Sequence, residues 1–451
     1  MSGVERGRIA ELMEREKSRF VAAHPESKRL HERGKESLLD GVPMNWMTRW
    51  PGAFPVFVAT AEGAELTDVD GNSYADLCLG DTGAMTGHSP APTVAAVQDR
   101  VARGITAMLP TEDAVHVGEE MKRRFGMPNW QFSLSATDAN RFVVRIAREI
   151  TGRPKILVHN HCYHGSVDET ITTLVGGEVR PREGNVGAPV DPAETTRIVE
   201  INDLDALERE LSHGDVACVL VEPALTNIGI VLAEDGYHER LRELTRETGT
   251  LLVIDETHTL CCGPGGYTAV AGLEPDFLTM GKSIGGGVPI GAYGFTEEVG
   301  RRVREHTVPV AADVGGVGGT LAGNALSLAA ARATLAEVLT DEAFEHMIAL
   351  GERFESAVAA TIAEHSLPWS VTRLGCRAEY MFSPTPPRTG GEAAAALDEE
   401  LDALLHLYML NRGILLTPFH MMALMSPATT EAHVDRHSVA FAEAAAELTG
   451  A

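Results

Sequence analysis

Leu251-Leu252-Val253-Ile254-Asp255-Glu256 is an apolar run that stops abruptly on two carboxylates. A buried parallel strand whose C-terminal end opens into a crevice has this form. Further on, Thr279-Met280-Gly281-Lys282-Ser283-Ile284-Gly285-Gly286-Gly287 sets one lysine in a backbone with little side-chain cover. A lysine withdrawn from water gives up its proton more readily, and the neutral amine is a nucleophile toward carbonyl carbon. The chemistry this pair suggests is Schiff-base formation. Taken alone, Lys282 equally suits a surface loop and Asp255 equally suits a helix cap, so their neighbours must decide.

Pyridoxal phosphate needs three things of a protein: such a lysine, an acid that keeps the pyridine nitrogen protonated, and donors for its phosphate. Ser135-Ala136-Thr137-Asp138-Ala139-Asn140 offers the third. An apolar strand around Phe132 ends there, and a helical pattern (Phe142, Val143, Ile146, Ala147, Ile150) follows at once. The unpaired N–H groups of a helix N-terminus bind phosphate. Gly315-Gly316-Val317-Gly318-Gly319-Thr320 is a second stretch whose amides could approach an anion closely.

At these residues the sequence resembles the class III aminotransferases of the fold type I pyridoxal phosphate enzymes, from about Gly63 to the C-terminus. In character it is nearest to glutamate-1-semialdehyde aminomutase and the β-amino acid aminotransferases. The resemblance implies that Lys282 carries the cofactor as a Schiff base and Asp255 faces the pyridine nitrogen. It assigns Ser135, Ala136 and Thr137 to the phosphate, Tyr163 to stacking on the ring, Asn227 to the phenolic oxygen and Thr257 to packing against the ring. Gly319 and Thr320 would reach the phosphate of a partner subunit, which makes the expected active unit a homodimer. The loop carrying Trp46 and Arg49 would wall the substrate pocket. Four details depart from the family pattern: Ala136 replaces a glycine, Asp138 a glutamate and Thr257 a valine, and Gly87-His88-Ser89-Pro90 is one residue short.

The implied activity is an aminotransferase that moves an amino group from an amine or β-amino acid to a 2-oxo acid. An intramolecular aminomutase uses the same residues and is the alternative; a non-catalytic cofactor-binding protein is a third reading. Arg49, Arg377 and Arg412 are the candidates for holding a substrate carboxylate.

Strands and helices must place these groups. Lys155–Val158, Val216–Val221 and Leu251–Ile254 are apolar strand-like runs, and helical stretches such as Tyr237–Glu247 separate them. This alternation predicts an α/β fold with a mostly parallel central sheet covered by helices. The expected division is an N-terminal segment (1–75), a large cofactor-binding domain (76–330) and a smaller α+β domain completed by 331–451. An amphipathic helix is expected over residues 1–35, and Asp70-Gly71 marks a two-residue hairpin turn.

The 451 residues carry a formal net charge of -26, which argues against general binding to nucleic acid or anionic membrane. No apolar run approaches the roughly 18 residues that cross a bilayer, and the N-terminus lacks a secretory signal core, so a cytoplasmic protein is expected. The six cysteines show no C-x-x-C spacing. His159, His161, Cys162 and His164 lie close together in sequence but lack the paired cluster of a metal centre, and no metal is expected.

Overall fold

The computed structural model describes residues 3–306 and 315–450. They fall into two compact units, one built from 91–344 and 387–394, the other from 1–90, 345–386 and 395–451.

The first unit is built on a seven-stranded sheet. In chain order its strands are β1 (Asn129–Ser133), β2 (Lys155–His159), β3 (Thr196–Val199), β4 (Val216–Val221), β5 (Leu251–Asp255), β6 (Phe277–Met280) and β7 (Gly291–Phe295). Their order across the sheet is β1-β7-β6-β5-β4-β2-β3. Only β7 runs against its neighbours; the pairs β6/β5, β5/β4, β4/β2 and β2/β3 are parallel. Every residue of β4 and β5 is buried, as covering a parallel sheet on both faces requires. The expected α/β architecture is therefore present.

Parallel strands deliver their C-terminal ends to one edge. Asp255 lies opposite Thr279 in the β5/β6 register, so Lys282, just beyond the end of β6, emerges on the same side as Asp255. Ser135 follows β1, Tyr163 follows β2 and Glu222 follows β4. One crevice collects them all, the general location of sites in open α/β sheets.

Within this unit the helix Ala325–Ala333 packs against Ala91–Val101 and Glu112–Phe125.

The second unit holds a four-stranded and a three-stranded sheet. The N-terminal helical pattern is two helices, Arg6–Ala23 and Pro25–Gly34, because Pro25 starts a new helix and cannot continue the old one. The hairpin of Glu65–Asp68 and Ser73–Asp76 forms, but its loop spans Val69–Asn72 rather than two residues. Asp68 causes the difference: its Oδ1 accepts from the backbone N–H of Asp70 and of Asn72, and this side-chain turn holds a longer loop.

The helix Arg6–Ala23 buries Glu16 completely. The carboxylate accepts from Asn411 Nδ2 (2.8 Å), Arg15 Nη2 (2.7 Å) and Arg412 Nη1 (3.3 Å). Burial opposes the charge, but these donors outweigh it and hold Glu16 below the usual carboxylate range. Arg412 is thus committed to Glu16 and to the Tyr408 ring, 3.2 Å from its guanidinium, which removes it from the substrate-carboxylate candidates.

A carboxyl whose pKa is lowered by folding stabilises above its unfolded value and loses that contribution as pH falls through its folded one. Glu16→Ala should therefore lower stability by about 3 kcal/mol at pH 7, because it leaves Arg412 without its buried counter-charge. In urea denaturation the difference from wild type should shrink as pH falls below about 4.

Candidate active site

Asp255 ends β5 almost fully buried. Its Oδ2 accepts from Asn140 Nδ2 at 2.8 Å and lies 2.9 Å from His164 Nδ1. Its Oδ1 accepts from the Thr257 N–H at 3.0 Å and from Thr257 Oγ1 at 2.5 Å. Burial would raise this carboxyl, but the bonds from His164, Thr257 and Asn140 outweigh it and hold it at about 2. His164 answers in kind. Burial would strip its ring of a proton, yet Cys162 and Asp255 hold it well above the usual imidazole range. Each member of the pair therefore favours the charged form of the other.

Two other acids at this edge differ. Glu222 accepts from the Tyr163 N–H and from Thr226 Oγ1, and Glu256 from Thr259, Tyr267 and Thr268. Neither makes an ion pair, and burial pushes both upward. Of the three buried acids, Asp255 alone is held down as an anion.

Asn140 ties the edge together. It lies on the helix Ala136–Thr151, donates to Asp255 on β5 and to the His164 carbonyl (3.1 Å), and accepts from Thr279 Oγ1 on β6 (2.6 Å). That helix starts at Ser135, whose side chain accepts from the Asp138 N–H as a cap. Ala136 is ordinary helix and not among the positive-φ residues, so replacing the family's glycine brings no backbone strain. Thr137 Oγ1 accepts from the Ser166 N–H at 3.3 Å, and a Cβ on Gly165 (φ +80°) would collide with it. Gly281 lies against the same helix start, with room for a Cβ only 3.0 Å from the Ala136 nitrogen. The lysine loop and the helix N-terminus are therefore in contact.

Lys282 takes a left-handed backbone (φ +51°), a conformation costing a non-glycine residue about 1 kcal/mol or more. Its Nζ lies 2.5 Å from His258 Nε2. His258 was not legible as a site residue. The sign was its place three residues past Asp255, on the turn leaving the strand.

The other expected residues lie as follows. Tyr163 projects from the loop after β2, with 43% of its surface exposed. Asn227 is half-buried beyond β4, and Thr257 is buried and bonded to Asp255. Gly319 and Thr320 are exposed. In the second unit, Trp46 meets Phe419 edge-on at 6.5 Å and Arg49 is exposed. Trp50 packs against the cluster of Phe20, Phe54, Leu66, Tyr74, Leu407 and Leu410. Arg377 is fully buried, with Thr82 Oγ1 at 3.4 Å and Asp81 at 3.9 Å. His88 pairs with Asp76 at 2.7 Å, a structural role. His159 contacts the Tyr237 hydroxyl and His164 contacts Asp255, and among the described residues no three histidine, cysteine or acidic groups gather as a metal site.

Known proteins resemble this chain over most of its length. The pattern of the family described as "Aminotransferase class-III" matches residues 46–443. A glutamate-1-semialdehyde 2,1-aminomutase of Anaeromyxobacter sp. (strain Fw109-5) is 33% identical over 409 residues, which cover 88% of this chain and 93% of that protein. Among solved structures, a lysine-to-alanine variant of a glutamate-1-semialdehyde-aminomutase from Pseudomonas aeruginosa PAO1, in complex with PMP, superposes with a TM-score of 0.97. It is 48% identical, over 99% of this chain and all of that one. A β-phenylalanine aminotransferase from Variovorax paradoxus superposes at 0.86 with 28% identity, over 96% and 97% of the two chains.

The His164–Asp255 pair sets a pH window. Asp255, held down, contributes fully above the unfolded carboxyl pKa of about 4, and that contribution is lost as pH falls through about 2. His164, held up, contributes fully below the unfolded imidazole pKa of about 6.5 and loses it as pH rises through its folded value. His164→Leu should thus cost about 3 kcal/mol at pH 5 to 6, by leaving a buried carboxylate unpaired. Denaturation curves across pH would show the wild-type advantage narrowing on both sides of that window.

Proposed function

The chain belongs to the class III aminotransferase family, a family of pyridoxal phosphate enzymes, and on that footing we propose that it is an intramolecular aminomutase of the glutamate-1-semialdehyde type. The observation carrying the choice is the contrast in identity: 48% to an aminomutase over 99% of the chain, against 28% to transaminases of the same fold. Similarity to an ω-transaminase from Sphaerobacter thermophilus and to the β-phenylalanine aminotransferase supports a second reading, intermolecular transfer from an amine or β-amino acid to a 2-oxo acid. The sequence alone favoured that second reading; the relatives favour the first.

The residues present fit the cofactor. The buried anion Asp255 suits a protonated ring nitrogen, and the capped helix start at Ser135, Ala136 and Thr137 suits a phosphate. The Gly165 turn leaves that helix start uncrowded. Bound pyridoxal phosphate supplies a carbonyl that captures amines and a ring that accepts electrons. In this proposal the Lys282 amine anchors the cofactor and, once released, removes and returns the proton at the nitrogen-bearing substrate carbon. Asp255, kept anionic by His164, Asn140 and Thr257, balances the ring's positive charge. Tyr163 offers an exposed aromatic face, Asn227 a side-chain amide for the phenolic oxygen, and Thr257 a buried branched side chain beside Asp255.

Gly319 and Thr320 are assigned to the phosphate of a second copy, and the protein to homodimers. Their exposure, with that of Leu321 and of Met108 and Leu109, suits a surface covered by another chain. Trp46 and Arg49 are assigned to the substrate. The location is proposed as cytoplasmic, in keeping with an acidic chain whose six cysteines are buried and form no disulfide.

Given glutamate-1-semialdehyde alone, the cofactor-loaded protein should form 5-amino-4-oxopentanoate, with no added amino donor or acceptor. A strict requirement for a 2-oxo acid would replace this reading by the second. No turnover with either, from protein that binds pyridoxal phosphate, would overturn both. Asp255→Ala should cost at least about 10²-fold in turnover.

A further inference from the structure

We infer that His258 is the proton partner of Lys282, accepting a proton from the lysine ammonium and returning it. The inference rests on the proposal that Lys282 is the cofactor lysine, and it adds a residue that the resemblance did not assign.

Three observations carry it. First, Nε2 of His258 lies 2.5 Å from Nζ of Lys282, the contact a proton needs to pass between two nitrogens. Second, both ends are fixed. His258 is buried, on the turn whose preceding residue, Thr257, is bonded twice to Asp255. Lys282 is carried by a left-handed backbone that a lysine does not adopt by preference. Third, the two groups are anchored separately. His258 follows β5 and Lys282 follows β6, so neighbouring parallel strands, with Asp255 opposite Thr279, bring them together.

The step balances simply. One N–H bond breaks at Nζ and one forms at Nε2; the positive charge moves from lysine to imidazole, and no other reactant is needed. The neutral amine so produced can form its bond to the cofactor carbonyl or act as the base on substrate. Asp255 and its partner His164 are separately paired, and Glu256 is satisfied by Thr259, Tyr267 and Thr268, so these groups are engaged elsewhere in the crevice floor.

The test is the rate at which pyridoxal phosphate attaches to cofactor-free protein, followed by the rise of the visible absorption band with no substrate present. His258→Gln keeps a polar side chain of similar reach but cannot carry the proton. It should attach the cofactor about 10²-fold more slowly than wild type, and His258→Ala should recover speed when imidazole is added. Wild-type protein supplies a check that needs no substitution: attachment should be slower in deuterated water. A His258→Gln rate equal to wild type, or equal wild-type rates in the two waters, overturns the inference while leaving the lysine assignment intact. Failure of wild-type protein to develop the band at all overturns both.

Discussion

A carboxylate buried at the end of a parallel strand needs replacements for the water it has lost. Asp255 finds four: the His164 ring, the Asn140 amide, and the Thr257 N–H and hydroxyl. The donors come from different parts of the chain. Asn140 belongs to a helix, His164 to the loop after one strand and Thr257 to the turn after another. Satisfying one anion therefore fixes the positions of the helix start, the lysine loop and the strand ends. The phosphate-binding geometry proposed at Ser135–Thr137 and the approach of Lys282 both depend on that arrangement, since Gly281 rests against Ala136 and Asn140 also holds Thr279.

The same network separates Asp255 from two acids in similar surroundings. Glu222 and Glu256 also follow buried strands and also accept hydrogen bonds, yet both are pushed up. Hydroxyl and amide donors are dipoles and offset only part of the desolvation of a charge. A histidine that can be protonated supplies a full counter-charge. The imidazole bonded directly to Asp255 thus helps to set that carboxyl apart from the two that burial pushes up, and suits it to answer a positively charged ring.

Much of this was legible in the sequence because it depends on local pattern. A strand that ends in an acid, a lysine among glycines and a hydroxyl-capped helix start are each visible in a few residues. Parallel strands then bring their ends to one edge without further information. The hairpin loop was misread because Asp68 closes a turn with its side chain, which competes with the two-residue turn that Asp70-Gly71 suggests. Arg412 was a candidate until its partner Glu16, nearly four hundred residues away in sequence, was seen beside it. His258 and the role of His164 stayed hidden for the same reason. Each acts through one contact between separated segments, and no period or motif announces such a contact. The choice between aminomutase and transaminase was beyond motif reading because both reactions use the same lysine and the same acid.

The most direct test of the central claim is to load the protein with pyridoxal phosphate, reduce it with borohydride and map the modified peptide by mass spectrometry. Reduction fixes the cofactor to whichever amine carries it. The account predicts the label on Lys282, in the segment that follows β6. A label on any other lysine, or none on protein that has bound the cofactor, would contradict it.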